Sequence, residues 1–244
     1  MNSLRCFILR TMPGHFSFFT QEIHNQQAVF DENETRHAIH TLRYKEGDTI
    51  HFTDGLGQRY LGRIDGIKKN SFTASIFQQE TEKNPGELSL GVGLIKNTDR
   101  LEWLVEKCTE LGVKQLWLLN TGNAEKRRVN LDRLQKIAIA ALKQSHGYRL
   151  PMIGMATFAD MMSVKSGHRF ICYCSETAGS GMAGAECLKN DCLVLIGPEG
   201  DFTRKEAEQA VAEGFTFLSL GPAVLRTETA CMAVSAIYAV QHGR

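Results

Sequence analysis

The chain has 244 residues, 43% of them hydrophobic and 23% charged, with 28 Lys/Arg against 27 Asp/Glu. That length allows one large domain or two modest ones. The composition excludes wholesale disorder, a collagen-like repeat and a uniformly basic nucleic-acid coat. Charge is spread unevenly: residues 81–150 carry 12 Lys/Arg and 8 Asp/Glu, whereas residues 151–244 carry 7 and 10, so a polyanion contact is sought in the middle of the chain.

In chain order, residues 5–9 read as a strand and residues 33–42 as a helix. Residues 49–53, 59–64 and 71–77 alternate apolar and polar like further strands, the first two joined by Asp54-Gly55-Leu56-Gly57, a strong hairpin signal. Short strands at close spacing predict a small β-barrel over residues 1–78. His37 and His40 form an i, i+3 pair on the helix surface with no carboxylate to complete a metal set, so no metal is expected. Residues 79–87 are polar, contain Pro85-Gly86, and read as a linker. From Leu88 the rhythm changes to strand, helix, strand: strands at 88–95 and 113–119, helices at 100–111 (ended by Gly112) and 130–145, then short apolar runs at 169–174 and 192–196. This alternation predicts a parallel sheet with helices on its faces over residues 88–244. A Gly/Ala-rich stretch at 178–185 reads as a loop.

Seven cysteines, an odd number with no CxxC pair, read as free thiols of a reducing cytoplasm, not as a disulfide framework or zinc site. Met1–Arg10 lacks the pattern of a signal peptide, and no run approaches 18 apolar residues, so no membrane span is expected.

The most informative residues lie near the C-terminal end. A buried strand runs into Gly197-Pro198-Glu199-Gly200, followed by a capping box, Thr203 to Glu206, that opens a helix over 206–213. A second unit follows: a strand at 215–220, Gly221-Pro222, and Ala223 to Ala230 leading into a helix with Ala233, Val234, Ile237, Tyr238 and Ala239 on its apolar face. Two consecutive strand ends, each with a glycine turn and a helix start, make a cup lined by backbone at the carboxyl edge of the sheet, where open α/β sheets bind ligands. Arg226, Glu228 and Thr229 are the polar groups it offers. Taken singly, Thr227 and Thr229 are also good helix caps, and Arg226 and Glu228 a possible ion pair of little worth. GxGxxG, GxxxxGK[ST] and GxSxG are all absent, which leaves dinucleotide, P-loop and serine-hydrolase readings unsupported.

Leu195 to Gly200 together with Leu220 to Ala230 (Leu-Gly-Pro-Ala-Val-Leu-Arg-Thr-Glu-Thr-Ala) resembles the signature of the RsmE family of small-subunit ribosomal RNA uridine-N3 methyltransferases. Lys96-Asn97-Thr98-Asp99-Arg100 with Glu106 to Val113 is similar to the family's central motif, and His37, Leu42-Arg43, Gly47-Asp48 and Asp54-Gly55 to its N-terminal domain. The resemblance implies an α/β SPOUT fold with a C-terminal trefoil knot behind a PUA-like RNA-binding barrel, and a cytoplasmic homodimer acting on 16S rRNA within the assembled small subunit. It implies S-adenosylmethionine as methyl donor, held by Leu195, Ile196, Gly197, Pro198, Glu199, Gly200, Ser219, Leu220, Gly221, Leu225, Arg226, Thr227, Thr229 and Ala230. Arg226 would stabilise charge developing on the uracil, with Glu199 or Glu228 as proton acceptor. Arg5, Arg43, Lys126, Arg127, Arg128, Gln144 and Arg149 would contact RNA, with Arg133 and Lys136 beside the basic segment. Two positions depart from the pattern: Asp201 stands where the family has a glycine, and Gly147 where it has an arginine, with Arg149 two residues on. The competing readings are a SPOUT ribose 2′-O-methyltransferase, which typically has Ser-Leu-Asn where this chain has Leu225-Arg226-Thr227-Glu228, and a non-catalytic ribosome-assembly factor.

Overall fold

Large aromatic and branched residues at alternate positions of the strands between residues 17 and 81 build a six-stranded sheet. The structure, a computed structural model, describes residues 17–83, 86–123, 128–174 and 184–243, so the strand expected at 5–9 lies outside the described residues. The chain divides into two units between Glu82 and Lys83. In the first, β1 (Ser17–Phe19), β2 (Ile23–His24), β3 (Gln27–Phe30), β4 (Thr49–Thr53), β5 (Gln58–Ile67) and β6 (Phe72–Thr81) form one sheet in the order β1-β4-β5-β6-β3-β2. Period-2 alternation sends Phe18, Phe30, Ile50, Phe52, Ile64 and Phe72 inward, each at most 1% exposed. Phe30 and Phe72 stack with centroids 4.2 Å apart. Fully burying such a side chain contributes about 1.5–3 kcal/mol.

The Asp54-Gly55 turn is held by one carboxylate. Asp54 accepts the N–H groups of Leu56 (2.7 Å) and Gln58 (3.1 Å) and the hydroxyl of Tyr60 (3.1 Å). Burial, then the Asp54 charge, pushes the Tyr60 phenol up to about 12. The helix read at 33–42 is a short α1 (Glu32–Thr35) followed by a π-helical turn, Arg36–Thr41, in which Leu42 N–H donates to His37 O at 3.0 Å. His37 is thereby turned against Phe18, centroids 5.9 Å apart, and is not half of a surface pair with His40. Strand β6 continues through Thr81, into the stretch read as linker. Its last residues are solvated but stay on the ladder, Glu80 opposite Arg59 and joined to it at 2.7 Å. A strand wet on both faces has no apolar alternation to betray it.

The second unit repeats strand and helix: β7 (Leu88–Gly93), α2 (Thr98–Glu110), β8 (Gln115–Asn120), α3 (Leu131–Gln144), β9 (Met152–Thr157), α4 (Phe158–Met162), β10 (His168–Cys172), β11 (Cys192–Ile196), α5 (Arg204–Ala212), β12 (Thr216–Phe217) and α6 (Thr227–Gln241). The sheet order is β12-β10-β11-β7-β8-β9, and every described ladder is parallel. Burial on both faces explains the unbroken apolar runs. Leu90, Val92, Leu116, Leu118, Val194 and Ile196 face one core with α2, α3 and α6; Leu119, Leu193 and Leu195 face the other with Phe158, Met161 and Phe202. Leu101, Leu104, Val105 and Cys108 are the buried stripe of α2, and Asn97 and Asn130 cap α2 and α3 through their side chains.

Strand β9 and helix α4 carry too many small or unbranched residues to read as elements. The strand read at 215–220 pairs only at Thr216–Phe217, because on this sheet edge the chain turns away after Leu218 N–H reaches Ile171 O (3.0 Å). Helix α6 follows that edge strand yet packs on α2 and β7 at the sheet's centre. Residues 218–226 therefore cross under the carboxyl ends of β10 and β11. Among the described residues no helix is long and apolar enough to cross a membrane.

Candidate active site

All five residues of β11 are buried, and the chain leaves the core at Gly197. Close packing dictates the glycines. A Cβ on Gly93, at the end of β7, would lie 2.3 Å from Pro198 N and 2.4 Å from its Cδ, so the turn after β11 rests directly on the backbone of β7. A Cβ on Gly197 would lie 2.7 Å from Asp201 Oδ1.

The ends of three other strands are tied to this turn and the helix start that follows it. From β7, Lys96 N–H donates to Glu199 Oε1 at 3.3 Å. From β8, Gly122 N–H donates to Glu206 Oε1 (2.9 Å), and the Asn123 amide to the carbonyls of Gly200 (3.1 Å) and Asp201 (3.2 Å). From β10, Cys174 N–H donates to Asp201 Oδ2 at 2.8 Å. Asp201 Oδ1 also accepts Phe202 N–H at 2.7 Å. Asp201 sits at φ 56°, the left-handed region that favours glycine. Its carboxylate offsets that cost by accepting two backbone N–H groups, so the aspartate is a latch between β10 and the turn. Thr203 and Glu206 form the expected capping box on α5.

The second half of the cup closes on the first through one hydroxyl. Thr227, 5% exposed, donates from Oγ1 to Gly197 O at 2.8 Å. It caps nothing: the N-cap of α6 is Arg226, which makes no side-chain capping bond and is exposed. Glu228 is largely buried, its side chain 12% exposed, and pairs at 3.7 Å with Arg100 of α2. The structure thus gives Glu228 a partner on another helix, in place of the Arg226 pair considered from sequence. Gly221 lies at φ 113°, with open space where a Cβ would point. Thr229 is exposed, Ser219, Leu220 and Leu225 half-buried, and Ala230 buried at the start of α6. The side chains of Leu195 and Ile196 point into opposite cores, so only their backbone faces the cup.

Other sequence-read residues are not gathered here. Arg5, Lys126 and Arg127 lie outside the described residues. Arg43 is exposed on the first unit at φ 61°. Arg128 is exposed just before α3, at the cup's edge of the sheet. Arg133 is committed to Glu102, through Nε (2.5 Å) and a second nitrogen (2.9 Å). Gln144 ends α3 and Arg149 lies between α3 and β9, both at the amino ends of the strands. At ~3.3 Å per residue, the length of β7 alone separates the two edges by about 20 Å, so one chain does not bring them to the cup.

Gly147 belongs to the turn that ends α3. His146 takes the left-handed position (φ 51°), and Gly147 N–H donates to Leu142 O at 2.9 Å, as in a Schellman motif.

The thiols near the cup are unsuited to nucleophilic work. Burial, with Cys174 and Asp201 nearby, pushes Cys172 up to about 12; burial does the same to Cys108 and drives Cys231 well up. Among the described residues no cluster of His, Cys, Asp and Glu could hold a metal ion. What remains is a backbone-lined cup with an exposed arginine, a pinned carboxylate (Glu199) and a shielded one (Glu228). Gly93 and Asn123 are the participants that carry no signal of their own; Arg100 was read as the last residue of the Lys96–Arg100 motif, without its partner Glu228.

Comparison with known proteins bears on this site directly. A family model described as an RNA methyltransferase domain matches residues 82–239, and one described as an RNA methyltransferase PUA domain matches residues 30–77. The ribosomal RNA small subunit methyltransferase E of Rickettsia conorii is 32% identical over 216 residues, covering 84% of this chain and 86% of that protein. A probable rRNA-methyltransferase from Porphyromonas gingivalis superposes with a TM-score of 0.84 at 30% identity, covering 93% of this chain and 98% of that one. The ribosomal RNA small subunit methyltransferase E of Neisseria gonorrhoeae, solved bound to S-adenosyl methionine, superposes with a TM-score of 0.76 at 26% identity, covering 93% and 97%.

Proposed function

Because the chain belongs to the ribosomal RNA small subunit methyltransferase E family, we propose that its cup carries out the transfer of a methyl group to N3 of one uridine. It is an S-adenosylmethionine-dependent methyltransferase of small-subunit ribosomal RNA, with a PUA-like first unit and a SPOUT-type second unit. The observation that carries the reading is the Thr227–Gly197 bond, which joins both glycine turns into one cup.

The residues present fit the methyl donor. Gly197 has no room for a side chain, Gly221 leaves space open, and Leu220 and Leu225 supply half-buried apolar walls, so the cup offers backbone and apolar surface. Gly197 to Gly200, Ser219 to Gly221 and Leu225 to Ala230 would hold the donor, and when bound it supplies an electrophilic methyl on a sulfonium.

The chain's own residues must present the base and manage its N3 proton. N3 lies on the pairing edge, so the uridine must be unpaired or flipped out. Arg226, exposed at the head of α6, would sit over the uracil oxygens and stabilise the charge that develops as the proton leaves. Between the two carboxylates, Glu228 is the better proton acceptor: Oε1 of Glu199 is taken by Lys96 N–H, whereas Glu228 is largely shielded from water and, among the described residues, pairs at 3.7 Å with Arg100. Arg100 is then the positioning residue. The chain crossing at 218–226 is where the family's trefoil knot would thread. A homodimer would bring a second copy's amino-edge residues to the cup and cover the exposed Trp103, Val224 and Val240.

The test is nucleoside mapping of small-subunit rRNA from cells with and without the gene. Loss of one N3-methyluridine, restored by the wild type and not by Arg226→Ala, is the expected result. Loss of a ribose methylation, or no change, overturns the reading.

A further inference from the structure

The first unit carries a surface the methyl-transfer chemistry does not use. The hairpin joining β2 to β3 turns through Asn25 (φ 48°) and Gln26 (φ 63°), both left-handed, as a two-residue hairpin turn of this hand requires. Glutamine is a strained choice where glycine is usual, and such strain persists where the surroundings hold it and a site gains from it. The turn is held against β6 by Ile76 N–H donating to Gln26 O at 2.8 Å. Between them lies a hollow of about 460 Å³ lined by His24, Asn25, Gln26, Gln27, Ser75 and Ile76, a size in the range of small-ligand sites.

The sheet register extends this hollow into a row. Gln27 stands opposite Ser75, and Ser75 opposite Arg63, so three exposed residues cross β3, β6 and β5 on the outer face. Phe77, two residues past Ser75 on β6, is 58% exposed. A bulge pairs Ile76 with Gly62 and Gln78 with Leu61, leaving Phe77 no residue across the strand. One carboxylate organises the row: Asp65 accepts the hydroxyls of Thr73 and Ser75 and, at 3.3 Å, the amide N–H of Gln27. Burial pushes the Asp65 carboxyl up, but the bonds from Ser75, Thr73 and Gln27 outweigh it and hold it below the ordinary value. With those donors spent on Asp65, Gln27 and Ser75 have acceptor oxygens left for the hollow.

We propose that this outer face binds a single unpaired guanosine of the RNA substrate, its base edge against Gln27 and Ser75, its ring on Phe77 and its phosphate on Arg63. Single-stranded RNA is read by this combination of an exposed aromatic, a cation and polar groups on a sheet. The base follows from the acceptors: guanine presents two adjacent donors, N1–H and N2–H₂, on its pairing edge. Cytosine and adenine put an acceptor beside their amine, and uracil flanks its single donor with acceptors. The proposal rests on the reading that the substrate is RNA.

Fluorescein-labelled pentaribonucleotides UUGUU, UUIUU and UUAUU, titrated against the full chain by anisotropy, test it. Inosine lacks the N2 amine, so UUGUU should bind about five- to tenfold tighter than UUIUU. Phe77→Ala should lose about tenfold, with Phe77→Tyr retaining affinity. Arg63→Glu should weaken all three oligonucleotides and flatten their salt dependence. Methyl transfer to small ribosomal subunits, measured on the same preparations, should show a raised KM for Phe77→Ala with kcat kept. Thermal melts confirm that these surface variants fold. Methyl transfer by the wild type without discrimination between UUGUU and UUIUU, or with Phe77→Ala binding like the wild type, overturns the guanosine site and leaves the methyltransferase reading standing. Discrimination without any methyl transfer does the reverse.

Discussion

Thr227→Val isolates the contact that closes the cup. Valine matches threonine in shape, so no cavity forms and the change removes one hydrogen bond, Oγ1 to Gly197 O at 2.8 Å, at a site 5% exposed. Losing the donor leaves the carbonyl of half-buried Gly197 without this partner, which costs about 1–3 kcal/mol, a factor of roughly 5 to 150 in an equilibrium constant. Both tryptophans of the chain, Trp103 and Trp117, lie in the second unit, so urea unfolding followed by their fluorescence reports on that unit alone. The midpoint should fall with the slope unchanged. Titration calorimetry should show weaker binding of S-adenosylmethionine, because the Gly197 and Leu225 halves of the cup are no longer joined. Thr227→Ser keeps the hydroxyl and should recover most of both losses. Wild-type stability and affinity in Thr227→Val, or equal damage from valine and serine, would refute the idea that this bond holds the cup together.

Other consequences follow from the same geometry. Gly93→Ala forces the Pro198 turn off β7, an overpacking cost on the order of 1–3 kcal/mol, and should weaken donor binding in calorimetry at least as much as Thr227→Val. At position 201, alanine loses the bonds to Cys174 and Phe202 and keeps the left-handed strain, whereas glycine loses only the bonds. Asp201→Gly should therefore be more stable than Asp201→Ala by about 1 kcal/mol in urea titrations. Arg100→Ala should lower kcat and shift its pH profile while donor affinity stays near wild type, with Arg100→Lys intermediate. Asp65, whose carboxyl titrates below its ordinary value of 3.8 in the folded chain, contributes stability that is complete above that value and lost as pH falls through the folded pKa. Acid titration of the first unit's unfolding should show this loss, and Asp65→Asn should remove it.

The second unit was legible where burial on both faces left unbroken apolar runs, as in β7 and β11, and where apolar residues recurred at helical spacing, as along α2. Elements too short or too wet to carry a period were illegible: β2 and the end of β6 in the first unit, and β9 with its small residues in the second; β12 was read, but longer than it is. The cup was legible because close approach and chain reversal demand glycine, and because Thr203 and Glu206 announce a helix start. Its internal pairing was not. Which side chain Thr227 or Glu228 would meet depends on how α6 packs against α2 and the Gly197 turn, contacts between segments far apart in sequence. Gln144 and Arg149 illustrate the same limit. Gln144 matches the family pattern and Arg149 stands two residues past its arginine position, but parallel connectivity sends both to the opposite edge of the sheet from the cup. Asp201 was legible as a departure from pattern, and only its φ of 56° shows why glycine is the usual residue there.

The most direct measurement is a reconstituted reaction: purified protein, small ribosomal subunits from cells lacking the gene, and S-adenosylmethionine labelled in its methyl group, followed by nucleoside analysis of the rRNA. The expected result is one labelled N3-methyluridine per subunit with wild-type protein and none with Arg226→Ala. Label on a ribose hydroxyl or another base, or no label with subunits that the protein demonstrably binds, would contradict the account.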